Sequence, residues 1–296
     1  MLGFGGAPVG YLATDTRDAS VILNTLLDRG VNFIDTAASY SGSEDLIGAA
    51  IGHRRDDYVL LSKCGQAFDD IDGAAWSAQA IAQTVDRALR RLRTDHLDIM
   101  ILHSCEIDIL EAGDAMGALT AAQDAGKVRF VGYSGDNETA AFAAGLDAVS
   151  VIETSINFCD QANITTVLPQ AERHNVGVIA KRPVANGAWK ALSEQEGLYA
   201  DYAKTYSERF ARMALKAEDL GFDGNGTVVW PEIALRYTLS QSSVGTAIVG
   251  TTKLSHVEAN ISTAEKGPLD KAVIAELNHA FQQAEAASGE AWLGQR

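Results

Sequence analysis

The chain is poor in cysteine, in positive charge and in long apolar runs. Its three cysteines, Cys64, Cys105 and Cys159, cannot build a disulfide framework in 296 residues and fit a reducing, cytoplasmic compartment. Lysine and arginine number 24 against 39 aspartates and glutamates, a net charge of −15. Such an anion is repelled by nucleic acids and anionic membrane surfaces, so neither is expected as a partner. No stretch reaches the ~18–20 apolar residues that span a bilayer. The apolar opening, residues 1–13, has no cation before it and reads as a first strand and turn rather than a signal peptide. A dinucleotide fingerprint is missing too. Gly3-Phe-Gly-Gly6 precedes Pro8 with no helix at the required spacing, which speaks against a doubly wound open sheet.

What is present is a folded chain, 47% hydrophobic and 21% charged. Eight short apolar runs, many of them rich in β-branched residues, recur at residues 2–4, 31–34, 58–61, 97–102, 128–131, 148–152, 176–180 and 246–249. They are nearly continuous rather than alternating, the pattern of parallel strands buried on both faces. Helical periods fill the intervals. Ala19, Ile22, Leu23 and Leu26 fall on one face ahead of Gly30, and Ile81, Val85, Ala88, Leu89 and Leu92 line another. Eight β/α units in this length predict a single α/β domain over residues 1–296, a closed (β/α)8 TIM barrel. Residues 186–230, with Trp189, Tyr202, Tyr206 and Phe210, break the rhythm after the seventh strand. They read either as an insertion shaping a substrate pocket or as a helix pair that merely packs on the scaffold.

In such a barrel the working residues follow the C-terminal ends of the strands. Those ends carry Asp35 with Tyr40 five residues on, Lys63, His103, Ser134, Glu153, Lys181-Arg182 and Gly250-Thr251-Thr252-Lys253. Each has an ordinary explanation alone: a turn cap, a solvated amine, a ring on the rim. Together, Asp35, Tyr40, Lys63 and His103 converge on one mouth. An ammonium beside a phenol favours phenolate and makes it a readier acid, while a carboxylate behind the ammonium holds it in place. A neutral histidine can donate to a carbonyl oxygen. The set suits protonation of an oxyanion as it forms, the need of carbonyl reduction by hydride. The hydride must come from a nicotinamide cofactor, since no side chain supplies one. Its phosphates find backbone N–H groups where the turn Gly250-Thr-Thr-Lys-Leu-Ser-His256 opens a helix running through Asn260, with the Lys181-Arg182 charges on the adjacent strand.

These residues resemble a known family. Gly30-Val-Asn-Phe-Ile-Asp-Thr-Ala-Ala-Ser-Tyr40 with Ser43, Glu44 and Gly48, then Leu97-Asp-Ile-Met-Ile-Leu-His103, then Ala247-Ile-Val-Gly-Thr-Thr-Lys-Leu-Ser-His-Val-Glu-Ala-Asn260, are similar in order to motifs of the aldo-keto reductases. The resemblance implies reduction of an aldehyde, ketone or sugar, or the reverse oxidation, with NADP(H) in preference to NAD(H) as cofactor and a small carbonyl compound as substrate. It makes Tyr40 the acid/base, Lys63 its activator, Asp35 the partner of Lys63 and His103 the carbonyl-orienting group. Ser134 and Glu153 would lie against the nicotinamide carboxamide, and Lys181 where a ring often stacks on it. Arg182 and the segment through Gly250, Thr251, Thr252, Lys253, His256 and Asn260 would hold the pyrophosphate and adenosine end. Departures are visible: Gly135 stands where many members have Asn, Glu153 where many have Gln, and His256 where NADPH-preferring members often have Arg.

Two other classes compete with this reading. A metal-dependent hydrolase could draw on Asp35, Cys64, His103 and Cys105, but their spacing matches no tight zinc pattern, and no metal is expected. A non-catalytic nicotinamide-binding redox sensor or auxiliary subunit would use the same fold without the chemistry.

Overall fold

The computed structural model describes residues 1–12, 14–195 and 199–295; Ala13, the end of the apolar opening, and the side chain of Tyr202 lie outside the described residues. Eight strands, β1 (Leu2–Gly5), β2 (Phe33–Asp35), β3 (Val59–Cys64), β4 (Leu97–His103), β5 (Val128–Ser134), β6 (Val151–Ser155), β7 (Gly177–Lys181) and β8 (Thr246–Val249), form a closed barrel in sequence order. All pairings are parallel, and β8 returns to β1 with Leu2 opposite Ala247. Around and over them lie α1 (Ala7–Tyr11), α2 (Thr16–Asp28), α3 (Ser43–Ile51), α4 (Ala78–Leu92), α5 (Ile107–Ala112), α6 (Asp114–Asp124) and α7 (Asn137–Ala143). The second half adds α8 (Ala162–Thr166), α9 (Leu168–Arg173), α10 (Tyr199–Met213), α11 (Gly226–Leu239), α12 (Leu254–Glu265) and α13 (Lys271–Ser288).

Local chemistry explains the elements. Asp15 caps α2 by accepting from Arg17 N at 2.7 Å, and the helix buries Ala19, Ile22, Leu23 and Leu26 before Gly30 takes φ +81°. Ser77 caps α4 through Ala80 N at 3.2 Å, and Ile81, Val85, Ala88 and Leu92 face the barrel. Each fully buried Leu or Ile in this layer contributes about 1.5–3 kcal/mol. Strand parity separates two cores. Ile34, Leu60, Met100, Val178 and Ala247 point outward to a cluster shared with the helices. Phe33, Leu61, Ile99, Ile101, Ile179 and Ile248 form a cluster of strand residues only, the barrel lumen. Asp35, Lys63, His103, Lys181 and Gly250 follow these lumen residues by two, so the pleat carries them to the C-terminal mouth.

The strands run further than the apolar runs. The third reaches Cys64, the fourth His103, the fifth Ser134, the sixth Ser155 and the seventh Lys181. Polar residues belong to the sheet there because they face the mouth, not the helices. The apolar opening yields β1 followed by helix α1, with Pro8 in its first turn, rather than a bare turn. The segment after β7 holds α10, and α11 begins at Gly226 inside the expected insertion. Asn225 caps it by accepting from Thr227 N at 3.0 Å. Tyr206, Met213 and Leu220 bury in a second apolar cluster with Phe158, Trp230, Phe281 and Trp292, and Phe210 packs against it. Among the described residues no helix is long and apolar enough to cross a membrane.

Candidate active site

Asp35 ends β2 and is 2% exposed. The chain then turns sharply: Thr36 N bonds Leu61 O at 2.9 Å, Ala38 N bonds Lys63 O at 3.2 Å and Tyr40 N bonds Ala37 O at 3.0 Å. This turn sets the half-buried Tyr40 over β3, where Lys63 is fully buried. Close packing of α1 secures it, since a Cβ on Gly10 would meet Ser41 O at 2.9 Å and the Tyr40 carbonyl carbon at 3.1 Å. Tyr11 packs edge-on against the Tyr40 ring at 5.5 Å.

Lys63 is the centre. Its ammonium is ion-paired with Asp35 and donates to Thr36 O at 3.1 Å and to Tyr40 OH at 3.5 Å. A second carboxylate lies against it, Glu153 Oε2, at 3.3 Å. The other Glu153 oxygen accepts from Ser134 Oγ at 3.3 Å. His103, at the end of β4, meets the Tyr40 ring edge-on at 5.8 Å, and its Nδ1 faces Ser39 Oγ at 3.3 Å. Asp35, Tyr40, Lys63, His103, Ser134 and Glu153 thus stand together at one mouth.

The electrostatics depart from the simple expectation. Burial pushes the Tyr40 phenol up; Lys63 pulls it down, as the sequence suggests, but Asp35 and Glu153 add to burial and the balance is upward. Burial alone would lower the Lys63 ammonium, yet the two carboxylates outweigh it and hold the amine charged. Asp35 is pushed well up by burial and by Glu153, against the pull of Lys63. Burial, then Lys63 and Lys181, hold His103 well below the usual histidine range, so the imidazole is neutral.

A second polar group fills the mouth beside β5, β6 and β7. Lys181 ion-pairs with Asp136 at 3.0 Å. Asp136 Oδ1 accepts from Thr154 Oγ1 at 3.0 Å, Ser155 N at 2.7 Å and Asn163 Nδ2 at 2.9 Å. Arg182 donates to Gln295 O at 2.5 Å and to Ser155 Oγ at 3.3 Å, so its guanidinium is engaged on the C-terminal segment. Asp160 accepts from Tyr206 OH at 2.7 Å and from Gln295 N at 3.0 Å, and burial pushes it up to about 6.

At the end of β8 the predicted cofactor residues gather. A Cβ on Gly250 would meet Pro8 at 2.6 Å and Gly5 O at 2.7 Å, so only glycine lets β8 and α1 approach. Thr251 Oγ1 accepts from Lys253 N at 3.1 Å and faces His256 Nδ1 at 3.2 Å. No side chain caps α12, whose first turn carries Lys253 and His256 at its exposed edge, with Thr252 and Asn260 half-buried nearby. Burial, Lys253 and Lys190 hold His256 down. Sequence reading missed Ser39, Asp136, Asp160 and Lys190, and placed Tyr206 in the 186–230 segment without its Asp160 partner. Asp136, two residues past Ser134, could have been found by position; the other partners meet only through tertiary packing. Among the described residues no cluster of three or more His, Cys, Asp or Glu is placed to hold a metal.

The profile of the "Aldo/keto reductase family" matches residues 1–281. The L-galactose dehydrogenase of Arabidopsis thaliana is 28% identical over 276 residues, 88% of this chain and 83% of that protein. An uncharacterized oxidoreductase of Bacillus subtilis is 29% identical over 283 residues, 92% of this chain and 90% of that one. Among solved structures, an aldo-keto reductase from Bacillus halodurans in its holo form superposes with TM-score 0.77 and 28% identity. That match covers 96% of this chain and 91% of the other.

Proposed function

The chain belongs to the aldo/keto reductase family, and from that premise we propose that it interconverts a small carbonyl compound and its alcohol, with Tyr40 as acid/base. The observation that carries the reading is Lys63, fully buried and reaching Tyr40 OH at 3.5 Å while paired with Asp35. The ammonium sits where negative charge on the phenol oxygen would develop, and burial strengthens its field. We assign the Ser39 hydroxyl as the donor to Nδ1 of neutral His103, the tautomer that leaves a proton on Nε2 for the carbonyl oxygen.

A bound nicotinamide supplies the hydride. The residues present fit one: the first turn of α12 is without a side-chain cap, and Lys253 and His256 stand exposed at its edge. Those groups would hold the phosphates, and we assign NADP(H) ahead of NAD(H) because Lys190 joins them. Arg182 would contribute only by releasing Gln295. Ser134, Glu153 and Lys181 border the reacting end. Residues 186–230 we read as a wall of the substrate pocket, with the half-buried Trp189 near its start.

Turnover of small aldehydes with NADPH, followed by absorbance, tests the reading. Tyr40→Phe is expected to lose about 10²–10⁴-fold in rate while binding cofactor as before. Wild-type rates in that variant would remove Tyr40 from its role, and an inert wild-type protein that still binds NADPH would point to the auxiliary-subunit alternative.

A further inference from the structure

Two carboxyl groups reach Lys63 from opposite walls of the barrel, Asp35 from β2 and Glu153 from β6. Each is 2% exposed, and among the described residues Lys63 is the only cation that either one pairs with. They also meet each other, with their side chains within hydrogen-bond reach. Two ionised carboxylates are acceptors only and repel at that separation, so the contact calls for a proton on one of them. Glu153 Oε2 has the same need: it is buried, and among the described residues no donor hydrogen-bonds to it. Burial and Glu153 push the Asp35 carboxyl well up, against the pull of Lys63. The other groups at the mouth leave this demand in place. His103 of β4 is neutral, Ser134 of β5 donates to Glu153 Oε1 at 3.3 Å, and the phenols of Tyr40 and of Tyr11 in α1 are uncharged. Lys181 of β7 is held by Asp136, Arg182 by Gln295 and Ser155, and Arg209 of α10 by Asp160 and Leu293. Uncharged Gly250 and Thr251 follow β8. Those three cations act on the pair from beyond their own partners, whereas the two carboxyls touch.

Resting on the acid/base reading of Tyr40, we propose that Asp35 and Glu153 hold one proton between them in the working protein, and that Glu153, acting through this proton and Lys63, sets the alkaline limit of turnover. While the proton is shared, the Lys63 ammonium answers one negative charge, and its field reaches the Tyr40 oxygen at 3.5 Å. In reduction the phenol O–H bond breaks as the carbonyl carbon takes up a hydride. The proton goes to the carbonyl oxygen, and phenolate is left facing the ammonium. When rising pH strips the shared proton, two carboxylates surround the same ammonium. The added negative charge beside the phenol oxygen disfavours phenolate and weakens Tyr40 as an acid. Glu153 is thus a positioning residue, since it works on the phenol through Lys63.

Two measurements test the proposal on wild type and Glu153→Gln. The first is infrared spectroscopy of the protein without cofactor or substrate, in H2O and D2O, at slightly alkaline pH, where Asp160, at about 6, has ionised. Wild type is expected to show the carbonyl stretch of a buried protonated carboxyl, shifted in D2O and missing from Glu153→Gln. In that variant the amide can donate to Asp35, which ionises opposite Lys63. The second is the pH profile of kcat/KM with NADPH and a small aldehyde, in which the shape rather than the level is read. Glu153→Gln is expected to move the alkaline limb up by about one pH unit or more. Should that variant fail to fold, wild type decides alone: the infrared band must titrate away over the same pH range as the alkaline limb. No such band in wild type, an equal band in Glu153→Gln, an unmoved limb, or a band and limb that titrate apart each overturn the proposal. Undiminished turnover in Tyr40→Phe removes the acid/base reading instead, and the infrared band still reports whether the proton is shared.

Discussion

Two buried ion clusters share this barrel mouth, and they are built to different ends. Around Lys63, two carboxylates compete for one ammonium, and Tyr40 and His103 project over it. Around Lys181, three cations (Lys181, Arg182, Arg209) meet two carboxylates, Asp136 and Asp160. The main chain of the C-terminal segment closes the second cluster at Leu293 and Gln295. The first cluster holds Tyr40 and His103 over its ammonium; the second spends its hydrogen bonds on fastening one segment to another. Burial alone does not identify a reactive site, since both clusters are buried. What separates them is whether the polar atoms are consumed by the fold.

The comparison is broken hardest at Lys63. Lys63→Met leaves Asp35 and Glu153 facing each other without a cation. The expected loss is about 3–5 kcal/mol of stability together with turnover, read by denaturant unfolding and by rate. A second change, Glu153→Gln on that background, should restore part of the stability and none of the activity. If Lys63→Met is as stable as wild type, the ion pairs of Lys63 with Asp35 and Glu153 contribute no net stability.

The Lys181 cluster is sharpened by pH. Asp160 is pushed up by burial from its ordinary value of 3.8 to about 6. Between those values the folded chain binds the proton more than the unfolded chain does. Stability from this group therefore falls as pH rises from about 4 to about 6, by about 2–3 kcal/mol across the window. Asp160→Asn should flatten that slope in unfolding curves measured at several pH values, and leave the pH dependence of turnover alone. An unchanged slope would mean that another group carries it.

Much of this contrast was legible beforehand, for a physical reason. Parallel strands buried on both faces read as apolar runs, so eight of them with helical intervals disclose the barrel. Polar residues just past those runs mark the mouth, and that located Asp35, Lys63, His103, Ser134, Glu153 and Lys181. Missed were the partners that depend on which loops fold over the mouth. Asp160 and Tyr206 are 46 residues apart, and Ser155 meets Gln295 across 140. No local pattern encodes such pairs. The effect of Lys63 on Tyr40 was right in sign and too small, because sequence gives neither the depth of burial nor the proximity of Glu153.

The finest probe compares two serines. Ser39 Oγ faces His103 Nδ1 at 3.3 Å, and Ser155 Oγ donates to Gln295 O at 3.1 Å. Ser155 Oγ also accepts from Arg182 at 3.3 Å, and each such bond has a net contribution of about 0.5–1.5 kcal/mol. Ser39→Ala should appear in the rate: the imidazole loses the bond that fixes its tautomer, and kcat/KM falls about 2–10-fold with stability nearly unchanged. Ser155→Ala should do the opposite, lowering stability by about 1 kcal/mol through a looser C-terminal segment while the rate stays within about twofold. Both quantities come from the same two preparations, by unfolding and by initial rates. Should Ser155→Ala slow turnover as much as Ser39→Ala does, the Lys181 cluster takes part in the chemistry and the division between the two halves of the mouth is wrong.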